Sequence, residues 1–177
     1  LVFAWTLKSM TDSLGAKEYV ASLVENISGP WLSLFPAIIF IIGALLAFAT
    51  GTSWGTFGIL IPIVVSTFSG TNHTMMIISI SACMAGAVCG DHCSPISDTT
   101  IMASAGAQGS HINHVSTQLP YVLVVAVVSC ITYIIAGFVQ SPVLPLIIGI
   151  VLMVGTLFGI KYLMKNIAVR DKKHKVQ

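Results

Sequence analysis

The feature that most constrains this chain is a short polar segment, Gly90–Thr100, that lies inside a long apolar run. It reads G-D-H-C-S-P-I-S-D-T-T and places two carboxylates, Asp91 and Asp98, in sequence that is otherwise apolar or small. Pro95 lacks an N–H and disfavours helix at the preceding residue, so a break in the helix is predicted here. Irregular backbone at membrane depth is tolerated only where protein or a water-filled cavity satisfies its polar groups. The segment therefore predicts a discontinuous helix over residues 75–107 with a polar, functional centre.

Composition indicates the class of protein. Hydrophobic residues make up 55% of the chain and charged residues 8%, and the mean hydropathy is +0.93. Because soluble domains carry about 25% charged residues, the sequence predicts an all-α polytopic membrane protein. The net charge of +2 is too small to suggest a nucleic-acid partner. The four cysteines lie in apolar segments and are expected to be small buried residues rather than a disulfide framework. Three G-x-x-x-G spacings indicate close helix packing and nothing more: Gly51/Gly55, Gly86/Gly90 and Gly155/Gly159.

The first part of the chain is predicted to contain a helical hairpin. Residues 1–32 are interpreted as the end of a truncated helix followed by an external loop. Residues 33–69 contain two apolar arms, Leu34–Thr50 and Phe57–Phe68. As helices, both are short for a hydrocarbon core of about 30 Å. The favoured interpretation is a re-entrant hairpin with a Gly/Thr/Ser-rich tip at Thr50–Thr56. Two tilted spanning helices joined by a surface turn are the alternative.

The rest of the chain sets the predicted orientation. Residues 118–160 are predicted to form two transmembrane helices, and residues 161–177 a tail rich in Lys and Arg. Positive charge next to the last helix is typical of the cytoplasmic side. Counting crossings backwards places the polar loop Gln108–Thr117 in the cytoplasm and the hairpin mouth outside. The expected location is therefore the inner (plasma) membrane, with several crossings and a cytoplasmic carboxy terminus.

The polar centre suggests a cation site. The first half-helix is expected to end near Cys89, so that its free carbonyls and the negative end of its dipole point at Asp91. That arrangement favours a bound cation and makes Asp91 the first candidate ligand. Asp98 is interpreted as a second ligand, as a cap of the next half-helix, or as both.

Hydroxyl groups near these carboxylates extend the candidate site. Hydroxyl oxygens are hard ligands of the kind that small hard cations prefer. The alternative for any one of them is a hydrogen bond to a carbonyl of its own helix. The candidate ligands of a sodium or proton site are Asp91, Asp98, Ser94, Ser97 and Thr99 around the break, with Thr52 and Ser53 at the hairpin tip.

Other chemistries fit the sequence less well. Asp91, His92 and Ser94 have the residue types of a hydrolase triad, but neighbours in sequence cannot easily form the relay, and no nucleophile elbow is present. A zinc site is disfavoured because C-x3-C with H-x2-H is not a common zinc spacing. Loop histidines are expected to be solvated rather than to sense pH. The residues concerned are Cys89, Cys93, His111 and His114.

Three motifs resemble the NhaC family of sodium/proton antiporters. They are G-T-S-W-G-T-F-G-I-L-I-P at Gly51–Pro62, G-D-H-C-S-P-I-S-D-T-T-I at Gly90–Ile101 and H-V-S-T-Q-L-P-Y at His114–Tyr121. The resemblance covers nearly the whole chain and implies the wider ion-transporter superfamily, whose members contain two inverted repeats. Each repeat there has a re-entrant hairpin and a discontinuous helix, which move as an elevator against a scaffold. By this resemblance the chain is the second, carboxy-terminal repeat.

The sequence thus predicts a secondary active transporter that exchanges sodium for protons. The resemblance keeps an alternative open, a sodium-coupled carrier of a small organic acid or amino acid. A structural subunit without transport is disfavoured, because an Asp at the centre of a membrane helix costs about 2.5–3.5 kcal/mol. No enzyme activity and no cofactor are expected, with sodium as a transported substrate. The expected partners are protons, the lipid bilayer, the amino-terminal repeat and, if the protein forms a homodimer, a second copy.

Overall fold

The computed structural model describes residues 6, 9–10, 13–15, 29–68, 70, 72–141 and 143–174. Most of the predicted segment 1–32 therefore lies outside the described residues. The rest of the described chain consists of helices joined by short turns. A 3-10 helix (η1, Gly29–Leu34) is followed by α1 (Phe35–Thr50), α2 (Ser53–Phe68), α3 (His73–Cys93), α4 (Asp98–Gly106), α5 (His111–Val139) and α6 (Val143–His174).

The helices are those of an all-α polytopic membrane protein, and this predicted fold class is confirmed. In the described part of the chain, four helical segments are long and apolar enough to cross a membrane. α2, with 16 residues, is apolar but shorter. The four segments are Trp31–Thr50, His73–Cys93, His111–Val139 and Val143–Lys165.

The apolar core lies between α1, α2 and the first turns of α3. The rings of Phe35 and Phe68 meet edge-to-face with centroids 5.1 Å apart. Because α1 begins and α2 ends at this contact, the two helices form an antiparallel hairpin whose open end lies beside Met75 of α3. The core consists of Phe35, Ile39, Leu60, Ile63, Val64, Phe68, Met75 and Cys83.

Two glycines allow α1 and α3 to pack backbone to backbone. A Cβ atom on Gly86 would lie 2.1 Å from the carbonyl oxygen of Phe40, and one on Gly90 would lie 2.0 Å from that of Ala44. No larger side chain fits at either position, as expected of small residues spaced by four along a packed membrane helix. Since both pairs advance together along the chain, α1 and α3 run in the same direction.

α5 packs against α1 and α3, and α6 packs against α5. The hydroxyl of Tyr133 donates to the carbonyl of Ser81 at 3.1 Å, and Asn72 Nδ2 donates to Gln140 Oε1 at 3.3 Å. α5 therefore runs antiparallel to α3 and ends near the open end of the hairpin. Many apolar side chains of α5 and α6 are exposed, which suits helices surrounded by hydrocarbon or by further membrane helices.

The hairpin differs in detail from the sequence prediction. Its tip comprises only Gly51 and Thr52, because Thr52 Oγ1 accepts a bond of 3.4 Å from the Gly55 amide and so caps α2. Gly51 ends α1 in the left-handed region at φ 68°, so Gly51 and Gly55 do not share a helix face. The helical first arm begins earlier than expected and is 20 residues long from Trp31. Whether the hairpin is re-entrant stays a prediction.

Two later helices are longer than the sequence predicts. α5 begins at His111, so most of the predicted polar loop Gln108–Thr117 is helical. α6 continues beyond Lys161 as far as His174, so the basic tail begins as a helix. The sequence prediction missed these extensions because the added residues are polar or basic. Hydropathy marks the apolar span rather than the end of the helix.

Candidate functional site

The break between α3 and α4 lies one turn later than the sequence suggested. α3 continues past Cys89 and ends at Cys93, and Ser94 is extended at φ −73°, ψ 129°, as expected before Pro95. The Ser94 amide donates to the carbonyl of Asp91 at 3.1 Å. Asp91 therefore lies in the last turn of α3 and not beyond its end, because the helix continues until proline prevents it.

The carboxylate of Asp91 is buried and is held by hydroxyl groups. Asp91 is 4% exposed, and Ser97 Oγ donates to its Oδ1 at 2.6 Å. Ser97 Oγ also lies 2.7 Å from Thr99 Oγ1. Because Ser97 has a single proton and gives it to Asp91, Thr99 must donate to Ser97. A directed chain of hydrogen bonds, Thr99 to Ser97 to Asp91, thus ends on the carboxylate.

The electrostatics of this carboxylate favour a bound cation. Among the described residues, Asp91 forms no ion pair, and Ser97 is the only hydrogen-bond partner of its carboxylate. It also lies in the last turn of α3, where unpaired carbonyls carry the negative end of the helix dipole. A buried charge without a counter-charge is strongly unfavourable. A bound cation would offset that cost.

Asp98 has a different environment from Asp91. The sequence suggested Asp98 as the cap of α4, but the cap position is taken by Ser97, whose hydroxyl makes no capping bond and points to Asp91 instead. Asp98 is the exposed first residue of α4 and, among the described residues, makes no side-chain hydrogen bond or ion pair. A carboxylate in the first turn of a helix is stabilised by the dipole. The capping part of the prediction for Asp98 is therefore wrong, and its role as a ligand stays a prediction.

The other predicted ligands lie in two neighbouring places. In the break, Ser94 is buried and its Oγ accepts a 3.3 Å bond from the Ile96 amide. At the hairpin tip, Thr52 caps α2, and Ser53 is 8% exposed. No hydrogen bond joins Thr52 or Ser53 to the break within the described residues. Of the predicted set, the structure joins Asp91, Ser97 and Thr99 directly.

The hairpin tip nevertheless touches the break. A Cβ atom on Gly51 would lie 2.9 Å from both the Cγ1 and the carbonyl oxygen of Ile96, which stands between Ser94 and Ser97. The positive φ of Gly51 and this close approach both require glycine. The tip and the discontinuous helix therefore meet at one place, as a site built from both would need.

The rival constellations do not form. The described residues contain no group of three or more metal-ligating side chains, so the zinc set is not assembled. His92 Nδ1 lies 2.9 Å from the carbonyl oxygen of Val88, one turn earlier in α3, and it bonds neither Asp91 nor Ser94. A hydrolase relay is therefore absent from these residues.

His111 is a residue whose placement the sequence missed. It was expected to be a solvated loop histidine, yet its Nε2 lies 2.7 Å from the carbonyl oxygen of Pro95 and its Nδ1 lies 3.1 Å from Ser104 Oγ. No local spacing signals a contact between residues 16 positions apart. His114 makes no side-chain hydrogen bond with the described residues, so only His111 reaches the break.

The sequence of the chain also matches a known family. The model of the Na+/H+ antiporter family matches residues 1–138. The chain belongs to this family. The resemblance drawn from the three motifs is thereby confirmed, and the family is one of transporters rather than enzymes.

Several curated proteins are similar to the chain. An uncharacterised protein of Haemophilus influenzae is 44% identical over 91% of the chain, the malate-2H(+)/Na(+)-lactate antiporter of Bacillus subtilis 31% over 62%, and the arginine/ornithine antiporter ArcD of Halobacterium salinarum 34% over 61%. The chain spans 31% of the first relative and 23% of each of the other two. No solved structure matches the chain.

Proposed function

We propose that this chain forms part of a sodium/proton antiporter and that Asp91 is the group that sodium and protons share. The observation that carries the proposal is the burial of the Asp91 carboxylate at the carboxyl end of α3 without a counter-ion among the described residues. The family match supports exchange as the type of transport.

Exchange follows from competition for one carboxylate. A protonated Asp91 cannot offer both oxygens to a cation, so sodium and a proton exclude each other at this site. The hydrogen-bond chain from Thr99 through Ser97 stabilises the charged carboxylate when neither ion is bound. If the empty, charged site crosses the membrane poorly because charge burial is unfavourable, each crossing carries one of the two ions. That restriction converts competition into coupled exchange.

A second candidate function is sodium-coupled transport of a small organic acid or amino acid. Two relatives favour it, since one is named for malate, lactate, sodium and protons and the other for arginine and ornithine. In this alternative Asp91 binds the coupling ion, and the organic solute is held partly by segments outside the described chain.

Proteoliposomes that contain the full-length protein separate the two functions. An imposed sodium gradient is expected to change the internal pH, followed by a pH-sensitive dye, without any organic solute. The same vesicles are then given malate, lactate, arginine or ornithine. A pH change that needs one of these solutes would support the alternative, and the absence of any sodium-driven pH change would reject sodium/proton exchange.

A further inference from the structure

The short helix α4 is held in place mainly by polar contacts. Its two buried residues, Thr100 and Ser104, are both polar, whereas the apolar Ile101 and Met102 are exposed. Thr100 Oγ1 reaches the carbonyl of His92 only at 3.5 Å. Ser97 is at the cap position, but its hydroxyl donates a hydrogen bond to Asp91 and makes no capping bond to α4. Apolar packing therefore does little to fix α4 and the break before it.

His111 supplies a connection at this place. The carbonyl of Pro95 can only accept, so His111 Nε2 must carry the proton of their 2.7 Å contact. On the other side of the ring, Nδ1 lies 3.1 Å from Ser104 Oγ, which is 2.9 Å from the carbonyl of Ile101. One imidazole in the first turn of α5 thus links the break at Pro95 to the buried side of α4.

The link lies close to the groups that hold the carboxylate. Pro95 is one residue from Ser94 and two from Ser97, and the Ser97 amide donates to the Ser94 carbonyl at 3.3 Å across the turn. Ser97 is in turn the hydrogen-bond donor to Asp91. A shift of the Pro95 carbonyl would therefore move the hydroxyl on which the geometry of the carboxylate depends.

We infer that His111 is a positioning residue of the ion site, which holds the break in the form that lets Ser97 bond Asp91. His111 itself touches no ion in this arrangement. Its effect on transport rests on the proposed function, whereas its effect on the break does not. Loss of the link loosens residues 94–101 and weakens sodium binding without removing the carboxylate that carries out the exchange.

Two amide substitutions separate this role from a general structural one. The amide nitrogen of Gln can occupy the position of His Nε2, so His111→Gln keeps a donor for Pro95. The shorter His111→Asn places its amide near Nδ1 and leaves Pro95 without a donor. His114→Ala, one turn along the same helix, is the matched control because His114 has no side-chain hydrogen bond among the described residues.

The first measurement is hydrogen–deuterium exchange of the full-length protein, followed by mass spectrometry of peptides that cover residues 94–101. His111→Asn and His111→Ala are expected to exchange faster there than the wild type, while His111→Gln and His114→Ala match it. Equal exchange in all four variants, or equal acceleration in His111→Gln and His111→Asn, would overturn the inference. This readout does not depend on which solute is transported.

The second measurement is sodium-dependent transport by the same variants. The sodium concentration for half-maximal rate is expected to rise about threefold to tenfold in His111→Asn, with the maximal rate within about twofold of the wild type. His111→Gln should restore the wild-type value. A fall in maximal rate alone would contradict a positioning role. If the wild type moves no sodium, the proposed function fails, and hydrogen exchange alone decides the role of His111.

Discussion

At the residue scale, two aspartates seven positions apart have different environments. Asp91 is buried in the last turn of α3, and Asp98 is exposed in the first turn of α4. The helix dipole opposes a negative charge at the first position and favours it at the second. A bound cation would therefore stabilise Asp91 more than Asp98. This difference in environment comes from position in the fold, because the two side chains are identical.

Substitution of each aspartate by asparagine tests this difference. Asp91→Asn is expected to fold but to lose sodium-dependent transport, because the neutral amide lacks the negative charge that attracts a cation. Asp98→Asn should retain most of it, since Asn is also well tolerated at the start of a helix. Transport rates in proteoliposomes, normalised to inserted protein, give the comparison. An inactive Asp98→Asn beside a normal Asp91→Asn would reverse the assignment.

Ser97 offers a finer test of the same site. Ser97→Ala removes the 2.6 Å bond to Asp91, and a hydrogen bond to a charged group contributes about 1.5–3 kcal/mol. This bond favours the charged carboxylate over the protonated one, so its loss lets a proton compete better with sodium. The half-saturating sodium concentration is therefore expected to rise by about tenfold or more in Ser97→Ala. Ser97→Thr keeps the hydroxyl and should change it less. Ser66→Ala, which removes a hydroxyl that donates to the Ile63 carbonyl of its own helix, is the control. Equal sodium dependence in Ser97→Ala and Ser66→Ala would exclude this role for Ser97.

At the element scale, local sterics were readable from the sequence and tertiary contacts were not. Pro95 predicted the break because its effect on Ser94 acts between neighbours, yet the end of α3 was misplaced from Cys93 to Cys89. The sequence also did not show that Ser97 rather than Asp98 occupies the cap position of α4, since either residue type suits that position. The contacts of Gly51 with Ile96 and of His111 with Pro95 depend on how separate helices pack, so no local sequence pattern predicts them.

The seam between α1 and α3 gives a prediction about stability. Gly90→Ala would place its Cβ against the Ala44 carbonyl, and two backbones cannot separate there without disturbing the hairpin. The expected cost is about 3 kcal/mol or more, seen as a lower melting temperature in detergent. Gly155→Ala on α6 has nothing within 4 Å and serves as the matched control. Similar melting temperatures for the two variants would show that the seam is not tightly packed.

At the scale of the whole molecule, helix lengths indicate the depth of the site. α3 has 21 residues, so the break lies about 31 Å from the contact between Asn72 and Gln140. Along α6, roughly 27 Å separates Val143 from Lys161. Both distances are close to a hydrocarbon thickness of about 30 Å. By helix length, the break and the hairpin tip that touches it lie near the level of Lys161, the first lysine of α6. This favours the alternative of two spanning helices, and the re-entrant hairpin stays a prediction.

Thiol labelling measures this depth directly. In a protein without its native cysteines, Trp54→Cys near the tip is expected to react with an impermeant reagent from the side of the basic tail. Trp31→Cys, near the open end of the hairpin, should react from the opposite side. Both tryptophans are well exposed, at 72% and 68%. Lys165→Cys marks the tail side. Reaction of Trp54→Cys and Trp31→Cys from the same side would favour a re-entrant hairpin that returns from half depth.

The most direct test of shared binding at Asp91 is the sodium dependence of transport at several pH values, measured in proteoliposomes with the full-length protein. One competing proton predicts that the half-saturating sodium concentration rises on acidification and approaches about tenfold per pH unit at low pH. The maximal rate at saturating sodium should change much less over the same range. A half-saturating concentration that stays constant from acid to alkaline pH would contradict competition between sodium and protons for one carboxylate.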